Sequence, residues 1–100
     1  MAKVSKELIG KRALVTGSNA GIGKAIALRL AEEGATHIAI HGRNKERLEA
    51  VAKELEAKGV KVHISAFDVC DKAACRQMVR DVIEDFGGID IVVNNAGMGY

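Results

Sequence analysis

One hundred residues with 48% apolar and 28% charged side chains suit a single small globular domain and leave no room for two. Fifteen Lys and Arg against thirteen Asp and Glu give a formal net charge of +2, interspersed along the chain, which argues for neither a nucleic-acid nor a membrane partner. No stretch approaches the roughly 20 apolar residues of a membrane span. Residues 1–12 lack the continuous apolar core of a secretory signal, while Glu7 and the absence of any arginine before Arg12 count against a transit peptide. The expected location is the cytoplasm.

In chain order, the apolar run 13–16 suits a short strand covered on both faces. From Ile22, apolar residues recur at helical spacing through Ala25, Ile26 and Leu30, and Gly34 supplies a stop. Residues 37–40 form a second strand. Asn44 caps a second helix with Leu48, Val51, Ala52 and Leu55 on one stripe, and Glu49/Lys53 and Glu54/Lys58 are its expected ion pairs. Val60, Val62, Ile64 and Ala66 alternate with polar residues, as in a half-exposed edge strand. Asp71 caps a third helix whose stripe is Cys75, Met78, Val79, Val82, Ile83 and Phe86. Ile89, Ile91, Val92 and Val93 then read as a strand deep in a sheet.

Strand and helix thus alternate as βαβαβαβ, which requires parallel pairing through right-handed crossovers. The expected fold is α/β, a Rossmann-like doubly wound parallel sheet of order 3-2-1-4, with the third strand at an edge and the first and fourth inside. A ligand crevice falls beside strands one and four, where the order reverses.

The stretch Thr16-Gly17-Ser18-Asn19-Ala20-Gly21-Ile22-Gly23 joins the first strand to the first helix. Gly17 allows a tight exit from the strand, Gly21 removes a Cβ that would block a pyrophosphate, and Gly23 permits close helix-strand packing. The N–H groups and positive dipole end of the helix then face the phosphates.

Thr-Gly-x-x-x-Gly-Ile-Gly resembles the cofactor motif of the short-chain dehydrogenase/reductase family, as do Asp68-Val69 and Asn94-Asn95-Ala96-Gly97 in the family's order. The resemblance runs from about Leu8 to Tyr100 and implies hydride transfer between NAD(P) and alcohols or carbonyls. It implies cofactor contacts from Gly17, Ser18, Asn19, Gly21, Ile22 and Gly23, with Asp68 at the adenine amino group and the Val69 backbone at the ring edge. Asn94, Ala96 and Gly97 then border the ribose side, with Asn94 also tying the central strands together. An acid at the end of the second strand usually selects NAD, but Gly42 occupies that position. Arg43 follows and can hold a 2′-phosphate, with Ser18 as a possible hydroxyl donor, so NADP(H) is expected over NAD(H).

By the same resemblance, further strands and helices would bring a catalytic serine and a Tyr-x-x-x-Lys pair, none of which this sequence contains. The chain reads as an incomplete NAD(P)-binding domain, 1–100, with no catalytic residue of its own and inactive alone. Its partners are a dinucleotide, a small carbonyl or alcohol substrate in a longer parent, and further copies of itself. The alternatives are a stand-alone, non-catalytic nucleotide-binding or interaction module and, less favoured, a methyltransferase. Cys70 and Cys75 form neither a C-x-x-C pair nor a metal set and are expected as reduced thiols, Cys75 as a small buried hydrophobe. His37, His41 and His63 are expected at the surface or at strand ends rather than as metal ligands.

Overall fold

The computed structural model describes residues 7–18 and 20–95. Four strands, β1 (Arg12–Thr16), β2 (His37–Gly42), β3 (Lys61–Ala66) and β4 (Ile91–Asn94), alternate with three helices, α1 (Gly21–Glu32), α2 (Lys45–Glu56) and α3 (Lys72–Phe86). The sheet is parallel throughout in the order β3-β2-β1-β4, as the strand-helix alternation requires. Ala13, Leu14 and Val15 align with Ile38, Ala39 and Ile40 on one side and with Ile91, Val92 and Val93 on the other.

Side chains alternate across the sheet with period two. Ala13, Val15, Ile38 and Ile40 pack with Leu48, Val51 and Leu55 of α2 and with Ala27 of α1 into the main core. Leu14 and Ala39 turn to the opposite face, where Met78, Val82 and Phe86 of α3 meet Phe67 and Ile89. Both caps read from the sequence form: Asn44 Oδ1 accepts from Arg47 N–H at 3.0 Å and Asp71 Oδ1 from Ala74 N–H at 3.0 Å. Gly87 ends α3 at φ +81°, a left-handed cap that glycine adopts without a Cβ penalty.

Four expectations need correction. β4 lies at an edge of the described sheet, paired with β1, because order 3-2-1-4 leaves no further strand beyond it. Its Val92 is consequently 62% exposed. The α3 stripe is too wide for the surface it covers, so Val79 and Ile83 remain exposed while Met78, Val82 and Phe86 are buried. Cys75 is half-buried, and its thiol donates to the Val69 carbonyl at 3.4 Å. Glu54 pairs with Lys24 of α1 at 3.0 Å, joining the two helices on the main-core face. Among the described residues no helix is long and apolar enough to cross a membrane, and no three His, Cys, Asp or Glu gather as a metal site.

Candidate cofactor site

The turn between β1 and α1 is pinned from both neighbouring strands. Gly17 turns at φ +65° and Gly21 at φ +60°. A Cβ on Gly23 would overlap the Gly17 carbonyl oxygen and come within 2.7 Å of the Gly17 carbonyl carbon and 2.9 Å of Ser18 Cα, so α1 packs onto the turn's backbone with no space for a side chain. The close approach expected at Gly23 is therefore to the turn just past the strand. A Cβ on Gly21 would meet nothing within 4 Å, so that glycine borders open space.

α2 and α3 begin under side-chain caps, whereas α1 starts at Ala20 with no side-chain cap among the described residues and no acid in its first turn. Its first N–H groups and dipole end thus face the opening beside Gly21. Ile22, in the same turn of helix, is 72% exposed.

On the β4 side, Thr16 Oγ1 lies 3.2 Å from Asn94 Oδ1 and 3.4 Å from the Val93 carbonyl, and it accepts from Asn95 N–H at 3.0 Å. Asn95 Nδ2 donates to the Gly17 carbonyl at 3.2 Å. Asn94 thus ties β1 to β4 as expected, while Asn95, unassigned from the sequence, holds the turn itself.

On the β2 side, Ser18 N–H donates to the His41 carbonyl at 2.7 Å. Ser18 is fully buried; its Oγ lies 3.0 Å from the Val15 carbonyl and 3.2 Å from the His41 carbonyl, and accepts from His41 N–H at 3.0 Å. A hydroxyl carries one proton. Since main-chain carbonyls already take it, the expected role of Ser18 as a 2′-phosphate donor is replaced by that of a buried brace between turn and strand.

His41 also departs from expectation. It stands at the strand end but is only 2% exposed, with Nδ1 at 3.3 Å from the Gly17 nitrogen and Nε2 at 3.0 Å from the Phe67 carbonyl. Its ring tilts against Phe67 at a centroid distance of 4.4 Å. Period two along β2 puts His41 on the face of Ala39 and at the height of the glycine turn, a signal that strand order 3-2-1-4 would have revealed.

Arg43 is exposed immediately after β2. Asp68, just beyond β3, accepts from Cys70 N–H at 2.9 Å. That bond chiefly holds the Asp68 carboxyl below its ordinary value, with the Arg43 charge adding to the effect. Arg43 and Asp68 therefore share one patch at the carboxyl ends of β2 and β3. Asp68 in turn pushes the Cys70 thiol up. Asn19, Ala96 and Gly97 lie outside the described residues.

The residues present suit a dinucleotide phosphate: a pinned glycine turn, a helix start without a side-chain cap among the described residues, and open space at Gly21. The chain matches the short chain dehydrogenase family over residues 11–100. It is 44% identical over 88 residues to the 3-oxoacyl-[acyl-carrier-protein] reductase FabG of Staphylococcus aureus, covering 88% of this chain and 36% of that protein. Among solved structures, L-sorbose reductase from Gluconobacter frateurii, complexed with NADPH and L-sorbose, is 44% identical with a TM-score of 0.86, over 96% of this chain and 36% of that one. A short chain dehydrogenase from Burkholderia cenocepacia in complex with NADP is 49% identical with a TM-score of 0.86, over 93% of this chain and 38% of that one. The chain thus spans little more than a third of the relatives it matches. With its motifs, its 3-2-1-4 sheet and this match over nine-tenths of its length in agreement, the chain belongs to the short-chain dehydrogenase family of oxidoreductases.

Proposed function

We propose that this chain is the NADP(H)-binding part of a cytoplasmic oxidoreductase that transfers hydride between NADP(H) and a carbonyl or alcohol. The observation that carries the proposal is the β1-α1 turn, in which Gly23 lets the helix start sit against Gly17 and Gly21 leaves the approach clear. The pyrophosphate lies against the α1 amides from Gly21 to Gly23, with Asn19 and Ile22 alongside. When bound, the nicotinamide supplies or accepts the hydride; this chain's own residues bind and orient.

Arg43 holds the 2′-phosphate. Gly42 presents no carboxylate to oppose it, and the two cofactor-bearing neighbours, named as complexes with NADPH and NADP, support the same preference. Asp68 receives the adenine amino group on the carboxylate already oriented by Cys70, and Val69 flanks the ring. Asn94, Ala96 and Gly97 border the ribose. On its own the 100-residue chain is inactive, its residues serving to bind and orient the cofactor.

NADP⁺ and NAD⁺ affinities of the unaltered chain and of Arg43→Ala test the assignment. Losing one charge-assisted contact weakens NADP⁺ binding by about 1.5–3 kcal/mol, roughly tenfold or more, with little effect on NAD⁺. Equal losses for both cofactors reject Arg43, and binding of neither cofactor rejects the nucleotide reading.

A further inference from the structure

The peptide N–H of Gly17 can only donate and the carbonyl of Phe67 can only accept. Between them His41 has one consistent form, the neutral imidazole with its proton on Nε2 and a lone pair on Nδ1. We propose that His41 is a positioning residue of the nucleotide site: in this form it fixes the Gly17 amide against the end of β3, and protonation of Nδ1 releases the turn and weakens dinucleotide binding. The inference rests on the reading of the β1-α1 turn as the phosphate cradle.

Three observations converge on it. Gly17 is the residue on whose carbonyl α1 is seated through Gly23, so a shift of Gly17 moves the helix start. The ring bridges the two ends of the site, the turn at Gly17 and the Phe67-Asp68 corner, with 2% of the residue exposed. An imidazolium would direct two donors at one donor and one acceptor, leaving the Gly17 N–H opposed by a like group in a water-poor space.

The groups facing the ring set its balance. Asp68 favours the charged form and the Phe67 carbonyl does likewise, but burial outweighs both and holds His41 below its ordinary value. Arg43 lies beyond Asp68 and partly offsets that carboxylate's charge. Ser18 and the Asn94-Asn95 end of β4 are uncharged, and α3 brings Met78 and Val82 to this face. Burial thus favours the neutral form of His41, and the turn loosens as acidification protonates the ring.

The test combines ¹⁵N NMR of the imidazole with NADP⁺ titration of the whole chain from about pH 8 to about pH 5, for the unaltered protein and for His41→Gln, an amide that accepts and donates but does not titrate. The 2′-phosphate itself gains a proton near about pH 6, so the glutamine variant supplies the baseline. The expected result is an unprotonated Nδ1 at neutral pH and a Gly17 amide shift that follows the ring's titration midpoint. The unaltered chain then loses about three- to tenfold more affinity on acidification than His41→Gln does. A Gly17 amide indifferent to the ring's protonation overturns the proposal, as does an equal pH response in the two proteins. Absence of NADP⁺ binding at every pH defeats the nucleotide reading of the turn, and the Gly17 shift then still decides whether His41 holds it.

Discussion

The two faces of the sheet are built to different standards. On one face α1 and α2 close over β1, β2 and β3, and Val15, Ile38, Ile40, Leu48, Val51 and Leu55 are each at most 1% exposed. On the other face α3 alone shields Leu14 and Ala39, while Val79, Ile83 and Val92 stand 38%, 46% and 62% exposed. Stability is concentrated on the first face, and the second is an apolar surface with room for a covering element. The glycine turn sits between them at the carboxyl end of β1, held to β2 by the bonds between Ser18 and His41 and by the His41 ring, and held on its other side by Asn95 just past β4. Its hydrogen bonds run to the strands and their ends, while α1 is seated on its backbone through Gly23.

Truncating one side chain on each face sharpens the contrast most. Leu48→Ala opens a void among fully buried residues and costs about 2–5 kcal/mol, whereas Ile83→Ala stays within about 0.5 kcal/mol apart from its small change in helix propensity. Denaturant midpoints measure both, and equal losses would break the distinction between the faces.

A smaller effect is expected at β4. Its outer hydrogen-bonding edge is unpaired in the described sheet and Val92 adds exposed apolar surface, so the chain self-associates with rising concentration. Val92→Lys reduces that association in sedimentation experiments. A monomer at all concentrations, with a sharp cooperative melt, would contradict it.

Weakest is the Arg12-Asp90 staple that joins the starts of β1 and β4. Arg12 N–H and Nε both donate to Asp90 Oδ2, at 2.9 and 3.0 Å, and Nη2 donates to Oδ1 at 3.2 Å. The side-chain bond from Arg12 is the chief reason that the Asp90 carboxyl falls from 3.8 to about 2. A lowered carboxylate pKa means that the unfolded chain binds the proton first, so this contribution is complete above the unfolded value of 3.8 and fades as pH falls toward about 2. Asp90→Asn removes that limb of the acid-unfolding curve and leaves the rest. An unchanged limb would assign it to other carboxylates, such as Asp85, which His63 and Lys61 also hold low.

The fold was legible because its signals are local: the apolar runs, the caps at Asn44 and Asp71 and the glycine stops act within a few residues. Long-range balance was less so. The stripe of α3 shows which residues are apolar and cannot show how much of the sheet faces them, which is why Val79 and Ile83 were expected inside. In the site, the backbone demands on Gly17 and Gly23 could be read directly, since each follows from a turn or a close approach. The roles of Ser18, His41 and Asn95 depend on which main-chain groups of other strands come within 3.5 Å, and a short side chain that satisfies a distant carbonyl leaves no periodic trace. Ser18 illustrates the difference: a hydroxyl in a phosphate turn reads as a ligand until the carbonyls of Val15 and His41 are seen to hold it.

The central claim is that the turn from Thr16 to Gly23 receives the dinucleotide phosphates, and backbone amide NMR during an NADP⁺ titration tests it most directly. Shifts are expected at Gly17, Ala20, Gly21, Ile22 and Gly23, with a second group at Arg43 and Asp68, and all should saturate together. Shifts centred instead on the groove lined by Glu49, Lys53, Glu56 and Ile64, or amides of the turn that stay unmoved at saturation, would contradict it.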